Sequence, residues 1–170
     1  MSVRFLSDEQ LLEQCRIETI RGSGPGGQKR NKTSNFVRLT HQPTGIDAQA
    51  GETRSLSINR IHAIRRLRLK LAVEVREAVE PLKFEPPDWF LSIRRNNQIR
   101  VSDHHEFYPA TAGLMLDLMS AMNGSPADVG TMLGISTTAV VKFLEAEPIL
   151  WTAANRIRAQ AGQKPLVHRR

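Results

Sequence analysis

A glycine-rich segment near the start of the chain has the residue types of a loop whose backbone amides approach a ligand closely. Gly22, Gly24 and Gly27 follow a predicted strand with the spacing G-x-G-x-x-G, so a dinucleotide-binding loop has to be considered. That motif requires a helix to begin at the third glycine, whereas residues 31–39 are polar and then β-branched or aromatic. A Walker-type phosphate loop is also disfavoured, because another residue separates Gly27 from Lys29 and no Ser or Thr follows that lysine.

The longer run around these glycines is more informative than the glycines alone. Residues 21–33 read Arg-Gly-Ser-Gly-Pro-Gly-Gly-Gln-Lys-Arg-Asn-Lys-Thr. This run resembles the catalytic loop of class I peptide chain release factors and of their stop-codon-independent, ribosome-rescue relatives. The similarity covers roughly Glu13 to Leu71 and continues through Val37, Arg38, Leu39, His41, Pro43, Thr44, Gly45, Ile46, Arg54, Ser55, Asn59 and Arg60. Arg30 stands where the family usually has valine, and Leu56 stands where glutamine is common.

The resemblance implies ribosome-dependent hydrolysis of peptidyl-tRNA, with Gly26, Gly27 and Gln28 as the catalytic residues. Attack of water on the ester places negative charge on the carbonyl oxygen and then on the departing ribose oxygen, so a hydrogen-bond donor must point there. Glycines at 26 and 27 let the main chain approach the RNA end closely. The resemblance assigns the donor to the main-chain amide of Gln28, and it implies that a dedicated glutamine methyltransferase methylates the Gln28 side chain.

No conventional catalytic set accompanies this run. Ser23 is not in a G-x-S-x-G elbow, and His41 in a predicted strand is more commonly a packed or solvated histidine. His104 and His105 are adjacent, and adjacent histidines rarely converge on one ion, so a solvated loop is favoured and neither a metal nor another cofactor is predicted. A ribosome-dependent hydrolase would show this absence, since the ribosomal centre and the substrate's own hydroxyl can handle the protons.

The net charge of +7 is unevenly distributed along the chain. Residues 1–70 contain 13 Lys and Arg against 6 Asp and Glu, whereas the remainder contains 11 against 11. Such a concentrated field favours a polyanionic partner, although many basic proteins are merely soluble. We expect contacts to phosphates of ribosomal RNA and transfer RNA from Arg21, Lys29, Arg30, Lys32, Arg54, Arg60 and Arg65.

The hydrophobic pattern predicts an α+β fold in which a small antiparallel sheet packs on a long helix. A capping box at Ser7 precedes a short helix, and three strands are expected at 16–20, 35–41 and 46–50. The long helix is expected from Ser57 to Val79, with an apolar stripe at Ile61, Ile64, Leu67, Leu71, Val75 and Val79. Prolines at 81, 86 and 87 predict a linker, which divides the chain into a hydrolase domain at 1–85 and a helical module at 88–170.

The C-terminal module is expected to be all-helical, with helices at 110–122, 127–133, 137–144 and 149–160. Residues 127–144 resemble a helix-turn-helix, and packing or docking is an equally open role for them because Thr137 to Phe143 offers one basic residue, Lys142. A non-catalytic RNA- or DNA-binding protein is therefore the alternative function.

The type of factor, its partners and its location in the cell are predicted from the residues outside the glycine-rich run. Only about 20 residues precede the run, so no decoding domain is expected there, and the short rescue hydrolases are the better comparison. The expected partners are the ribosome, through its peptidyl-transferase centre, and peptidyl-tRNA. No apolar run reaches the roughly 20 residues of a membrane span, the first residues lack a secretory signal, and Cys15 cannot form an internal disulfide. A cytoplasmic protein that does not bind membranes is expected.

Overall fold

The fold class is α+β, as predicted, in a computed structural model that describes residues 2–20 and 35–168. The chain divides into two compact units, one up to Leu71 and the other from Ala72 onward. The predicted linker at 81–88 contains a short 3-10 turn at Pro81–Lys83. The domain boundary placed there stays a prediction.

Three antiparallel strands in the order β1-β2-β3 form the sheet of the first unit. They are β1, Cys15–Ile20; β2, Phe36–His41; and β3, Asp47–Ala50. Alternate residues of β2 are buried, which places Val37, Leu39 and His41 on the inner face. The short helix α1, Asp8–Glu13, begins at the predicted capping box, in which Ser7 and Gln10 exchange backbone and side-chain hydrogen bonds.

The long helix α2, Leu56–Glu74, lies against the inner face of this sheet. Its buried residues in the first unit include Ala63, Ile64, Leu67 and Leu71. Two cations on the helix also bind β3, because Arg66 donates to the carbonyl oxygen of Gln49 at 2.8 Å and Lys70 donates to that of Asp47 at 2.7 Å. The predicted packing of sheet on helix is therefore confirmed.

The predicted apolar stripe is wrong at both of its ends. Ile61 is 50% exposed, because Asn59 and Ala63, rather than Ile61, occupy the buried side of this turn of the helix. The helix ends at Glu74 rather than Val79. Asp117 explains the early end, since its carboxylate accepts a hydrogen bond from the backbone N–H of Glu77 at 3.1 Å, a donor that a continued helix would use internally.

The second unit contains five α-helices and one small hairpin among the residues described from 72 to 168. The helices are α3, Asp88–Ile93; α4, Tyr108–Ala121; α5, Pro126–Leu133; α6, Thr137–Glu145; and α7, Pro148–Gln160. The last four match the predicted helices to within two residues. Helix α4 is buried along most of its length and forms the centre of the core.

The prediction that this part is all-helical is wrong, because it contains a hairpin of two short strands. Strands β4, Arg94–Arg95, and β5, Gln98–Ile99, pair antiparallel. Asn96 and Asn97 turn the chain between them with φ of 46° and 60°. Asparagine tolerates this left-handed conformation better than most residues, which suits a tight two-residue turn.

Helices α5 and α6 form the predicted helix-turn-helix-like segment. Gly134 ends α5 with a φ of +64°, and Ser136 begins α6 by accepting a hydrogen bond from the backbone N–H of Ala139. The two helices are bent by 110° relative to each other. Within the described residues, no single helix is long and apolar enough to cross a membrane, and this bent pair passes such a test only on combined length and composition.

Candidate functional site

The predicted catalytic residues Gly26, Gly27 and Gln28 lie outside the described residues. Four of the predicted phosphate-binding residues also lie outside them: Arg21, Lys29, Arg30 and Lys32. The structure does describe the two ends of the segment that carries these residues. Ile20 is the last residue of β1, and it pairs with Phe36, the first residue of β2. The segment therefore leaves and rejoins the sheet at neighbouring positions on two hydrogen-bonded strands.

A buried asparagine holds the second of these ends. The side chain of Asn59 is 0% exposed, and its Nδ2 donates to the carbonyl oxygens of Asn35 at 2.7 Å and Thr53 at 2.9 Å. Its Oδ1 accepts from the backbone N–H of Thr53 at 3.0 Å and from the Thr53 hydroxyl at 2.9 Å. Every hydrogen-bonding position of the amide is thus occupied. Asn35, Thr53 and Asn59 are called the asparagine clamp below.

Two further contacts tighten the region around the asparagine clamp. The side chain of Asn35 donates to the carbonyl oxygen of Thr53 at 2.7 Å, which ties these two stretches of chain together a second time. Gly51 is buried beneath the ring of Phe36, and a Cβ at position 51 would lie 2.3 Å from that ring. Only glycine lets Phe36 pack so closely. The backbone immediately after residue 34 is therefore held by hydrogen bonds and by aromatic packing.

The three predicted phosphate-binding arginines that the structure describes share one property. Arg54, Arg60 and Arg65 are exposed, and within the described part of the chain they make no ion pair or side-chain hydrogen bond. Neighbouring arginines differ, since Arg66 lies 2.5 Å from a Glu52 carboxylate oxygen and Arg68 lies 2.6 Å from Asp8. The three guanidinium groups therefore keep their full positive charge available for a phosphate.

Apolar side chains accompany these arginines at the beginning of α2. Leu56, Ile58 and Ile61 are each exposed, although large apolar side chains in a helix usually face a core. Clustered exposed apolar residues rimmed by charges are typical of an interaction surface. The surface formed by Leu56, Ile58, Ile61, Arg54 and Arg60 is called the α2 entry surface.

The histidine of β2 takes a structural position. His41 is 2% exposed, with its Nδ1 2.8 Å from the Thr44 hydroxyl and its Nε2 3.0 Å from Oε1 of Gln14. Burial lowers the pKa of His41 below its ordinary value, so the ring is neutral at neutral pH. Of the two expected roles, packed or solvated, the structure shows the packed one.

The pair His104 and His105 is also accounted for by local contacts. His104 lies 3.5 Å from the Asp103 carboxylate, and the ring of His105 accepts a hydrogen bond from the backbone N–H of Phe107 at 3.1 Å. Within residues 2–20 and 35–168, no group of three His, Cys, Asp or Glu side chains could hold a metal ion.

Comparison with known proteins supports the resemblance based on the glycine-rich run. The model of the RF-1 domain family matches residues 10–105, which is more than half of the chain. The chain therefore belongs to the RF-1 domain family, and the resemblance to release factors seen in the sequence is confirmed.

The relatives include one factor named for rescue and others named as peptide chain release factors. The chain is 49% identical over 79 residues to a "mitochondrial translation release factor in rescue" of Danio rerio, which covers 46% of this chain and 48% of that protein. It is 38% identical over 98 residues to a "peptide chain release factor homolog" of Escherichia coli, which covers 57% of this chain and 48% of that protein. Peptide chain release factor 1 of Rhodospirillum rubrum is 36% identical over 126 residues, 65% of this chain and 36% of that protein. The chain thus spans less than half the length of these relatives.

The asparagine clamp received no role from the sequence alone. Asn59 stood out only as part of the family resemblance, yet a local signal was present. Counting back by four from the buried residues Leu71, Leu67 and Ala63 reaches Asn59, which places a polar residue on the buried side of the helix. A buried polar side chain needs hydrogen-bond partners, and Asn35 and Thr53 supply them.

Proposed function

We propose that this protein hydrolyses the ester of peptidyl-tRNA on the ribosome and releases nascent peptides from stalled ribosomes without reading a stop codon. The observation that carries the proposal is the RF-1 domain match, because it spans Gly26, Gly27 and Gln28 together with the anchored ends of their segment. The identity with a factor whose name specifies rescue supports the finer assignment over termination.

The reaction needs a positioned donor more than it needs an acid or a base from the protein. The oxygen of water attacks the ester carbonyl carbon, negative charge collects on the carbonyl oxygen, and the bond to the ribose oxygen then breaks while that oxygen takes up a proton. A backbone amide can stabilise this charge only if it is already in place. The asparagine clamp holds the backbone at residue 35, the first described residue after the segment that carries Gly26, Gly27 and Gln28.

Binding to the ribosome is assigned to the α2 entry surface and to the arginine beyond it. Arg54, Arg60 and Arg65 would neutralise phosphates, while Leu56, Ile58 and Ile61 would pack on RNA or protein at the same place. The proposed partners are therefore ribosomal RNA and peptidyl-tRNA. A glutamine methyltransferase that modifies Gln28 completes the set.

The test is peptide release from purified ribosomes that carry peptidyl-tRNA on a message without a stop codon. We expect Gly27→Ala and Gln28→Ala each to lower the release rate at saturating ribosomes by about a hundredfold or more. The first would displace the main-chain amide of Gln28, on the scale of losing one oxyanion donor, and the second would remove the side chain that lines the water site. Ser23→Ala is the matched control in the same run, and it should release peptide at the wild-type rate because no serine nucleophile takes part.

Two outcomes would contradict the proposal. Near-normal release by both Gly27→Ala and Gln28→Ala would remove these residues from the mechanism and favour a non-catalytic RNA-binding protein. Release that requires a stop codon in the message would instead support a termination factor. Mass spectrometry of the native protein tests the modification separately, since only unmodified Gln28 would count against the methyltransferase.

A further inference from the structure

The second unit contains a cavity of about 470 Å³ that the proposed hydrolysis does not use. One side of it is formed by strand β5 and the chain that follows this strand, and the other side is formed by helix α6. Its apolar wall includes Ile99, Val101 and Phe143. A cavity of this size with an apolar wall and a few polar groups has the usual properties of a ligand site.

A tyrosine hydroxyl at this cavity has no hydrogen-bond partner among the described residues. Tyr108 lines the cavity and is only 5% exposed, and its ring lies against that of Phe143 with centroids 5.2 Å apart. Its hydroxyl makes no hydrogen bond with any other residue that the structure describes. Among the described residues the hydroxyl is thus left available, and it could accept or donate a hydrogen bond with a group that enters the cavity.

The charges around the cavity favour a cation. Asp103 and Glu147 both line it, against one cation, Lys142. Burial, together with the charges of Glu147 and Asp103, raises the pKa of Tyr108 to about 12. The two carboxylates outnumber the one lysine, so the lining disfavours an anion.

We propose that this cavity binds an arginine side chain presented by a protein partner. The guanidinium group has five N–H donors in one plane, which suits the two carboxylates and the lone pairs of the Tyr108 oxygen. Its flat face can stack on the aromatic wall that Tyr108 and Phe143 form, and its methylene stem would lie along Ile99. A phosphate backbone does not fit these groups, so the cavity side of α6 docks protein rather than nucleic acid.

The chemistry of the site and the proposed hydrolysis are independent of each other. The cavity belongs to the second unit, whereas Gly26, Gly27 and Gln28 belong to the first. The site can therefore be tested by binding alone, with the full chain and without ribosomes.

The experiment titrates the isotope-labelled full chain with a blocked heptapeptide of glycine and serine that carries one central arginine. The ring resonances of Tyr108 and Phe143 report binding. The matched ligand is the same peptide with citrulline, which has the shape of arginine without its charge, and it should not shift these resonances. We expect Glu147→Gln and Tyr108→Phe each to weaken binding of the arginine peptide by about tenfold, the effect of losing one charge-assisted hydrogen bond.

Lys142→Ala distinguishes a cation site from an anion site. Removal of this like charge should strengthen binding of the arginine peptide by roughly two- to fivefold. Tyr108→Phe keeps the ring that packs on Phe143, so its thermal unfolding serves as the control for an intact core. Equal binding of the citrulline peptide would overturn the proposal. So would binding of an RNA oligonucleotide at these rings that Lys142→Ala weakens and Glu147→Gln strengthens, because the surface would then dock nucleic acid.

Discussion

Replacement of Asn59 by alanine tests whether the asparagine clamp positions the catalytic segment or only stabilises the fold. The change removes two donated and two accepted hydrogen bonds that involve Asn35 and Thr53. Both partners are only half-buried, so water can reach part of what is left unpaired. Each of the four lost bonds then costs closer to about 1 than to about 3 kcal/mol, and we expect the free energy of unfolding to fall by about 4 kcal/mol.

A control variant with the same loss of stability separates the two roles. Leu11 in α1 is 0% exposed, and Leu11→Ala should cost about 2 to 5 kcal/mol through the lost burial and the cavity left behind. Leu11 has no hydrogen bond to the asparagine clamp. Chemical denaturation of both variants would show that their stabilities are comparable.

The rate of peptide release at saturating ribosomes distinguishes a positioning role of the asparagine clamp from a stabilising one. A misplacement of about 1 Å of a catalytic group can cost roughly a hundredfold in rate, so we expect Asn59→Ala to lower the rate by about that factor. Leu11→Ala should keep the wild-type rate in the folded fraction. Equal rates for the two variants would refute the positioning role and leave the asparagine clamp as a stabilising contact.

A second substitution at the same position removes the donors, keeps an acceptor and adds a buried carboxyl group. Asn59→Asp keeps the size of the side chain and the oxygen that accepts from Thr53. It places a second oxygen against the carbonyl oxygens of Asn35 and Thr53, where Nδ2 now donates. We expect release to be at least as slow as in Asn59→Ala, and recovery of the wild-type rate would contradict the argument.

Three other predictions follow from particular contacts. Burial lowers the pKa of His41, so the unfolded chain binds the proton first as pH falls, and stability should decline below the ordinary histidine pKa of about 6.5. In urea unfolding, the free energy of unfolding should therefore differ less between pH 7.5 and pH 5 in His41→Gln than in the wild type. Arg60→Gln should reduce the salt dependence of ribosome binding by roughly 0.7 to 0.9 log units per log salt, whereas Arg66→Gln, whose guanidinium is already paired, should leave the slope unchanged. Gly130→Ala would place a Cβ 2.8 Å from the carbonyl oxygen of Ile135 and should destabilise the second unit by about 1 to 3 kcal/mol. The same change at an unobstructed helical position would increase stability, so increased stability in thermal unfolding would contradict this prediction.

Elements with a strong local signal could be predicted from the sequence. The capping box at Ser7 and the alternation of apolar residues in β2 each depend on neighbouring residues only, and the structure places both as expected. The end of α2 was missed because it depends on Asp117, which lies far away in sequence and takes the hydrogen bond of Glu77. The hydrophobic periodicity of a helix carries no information about a hydrogen-bond partner so distant in sequence.

The hairpin of the second unit was missed for a different reason. Strands of two residues, Arg94–Arg95 and Gln98–Ile99, are too short to show an alternation. The Asn96 and Asn97 pair was the available signal, since two adjacent asparagines favour a tight turn. Tertiary packing then stabilises it, as Arg94 donates to the carbonyl oxygen of Leu133 at 3.1 Å.

Some functional residues could also be predicted from the sequence, whereas others required the structure. Residue type and order were enough to indicate Gly26, Gly27 and Gln28, because a family pattern is a property of the sequence. Which arginines remain available for RNA could not be read from the sequence, since Arg65 and Arg66 are adjacent and equally basic. The position of Glu52 shows that Arg66 is paired, whereas Arg65 has no carboxylate partner among the described residues.

The beginning of α2 joins the two requirements of the proposed reaction in consecutive residues. Asn59 faces inward and holds the chain at residue 35, and Arg60, one position later on the exposed side, carries a charge that no described carboxylate neutralises. Successive helical residues point about 100° apart, so the conformation that buries the amide also sets the side of the helix from which the Arg60 side chain leaves. A phosphate bound by Arg60 would then lie on the exposed side of the helix, away from the buried amide. Binding and chemistry would depend on one helical turn, and a change that rotates this turn would disturb both at once.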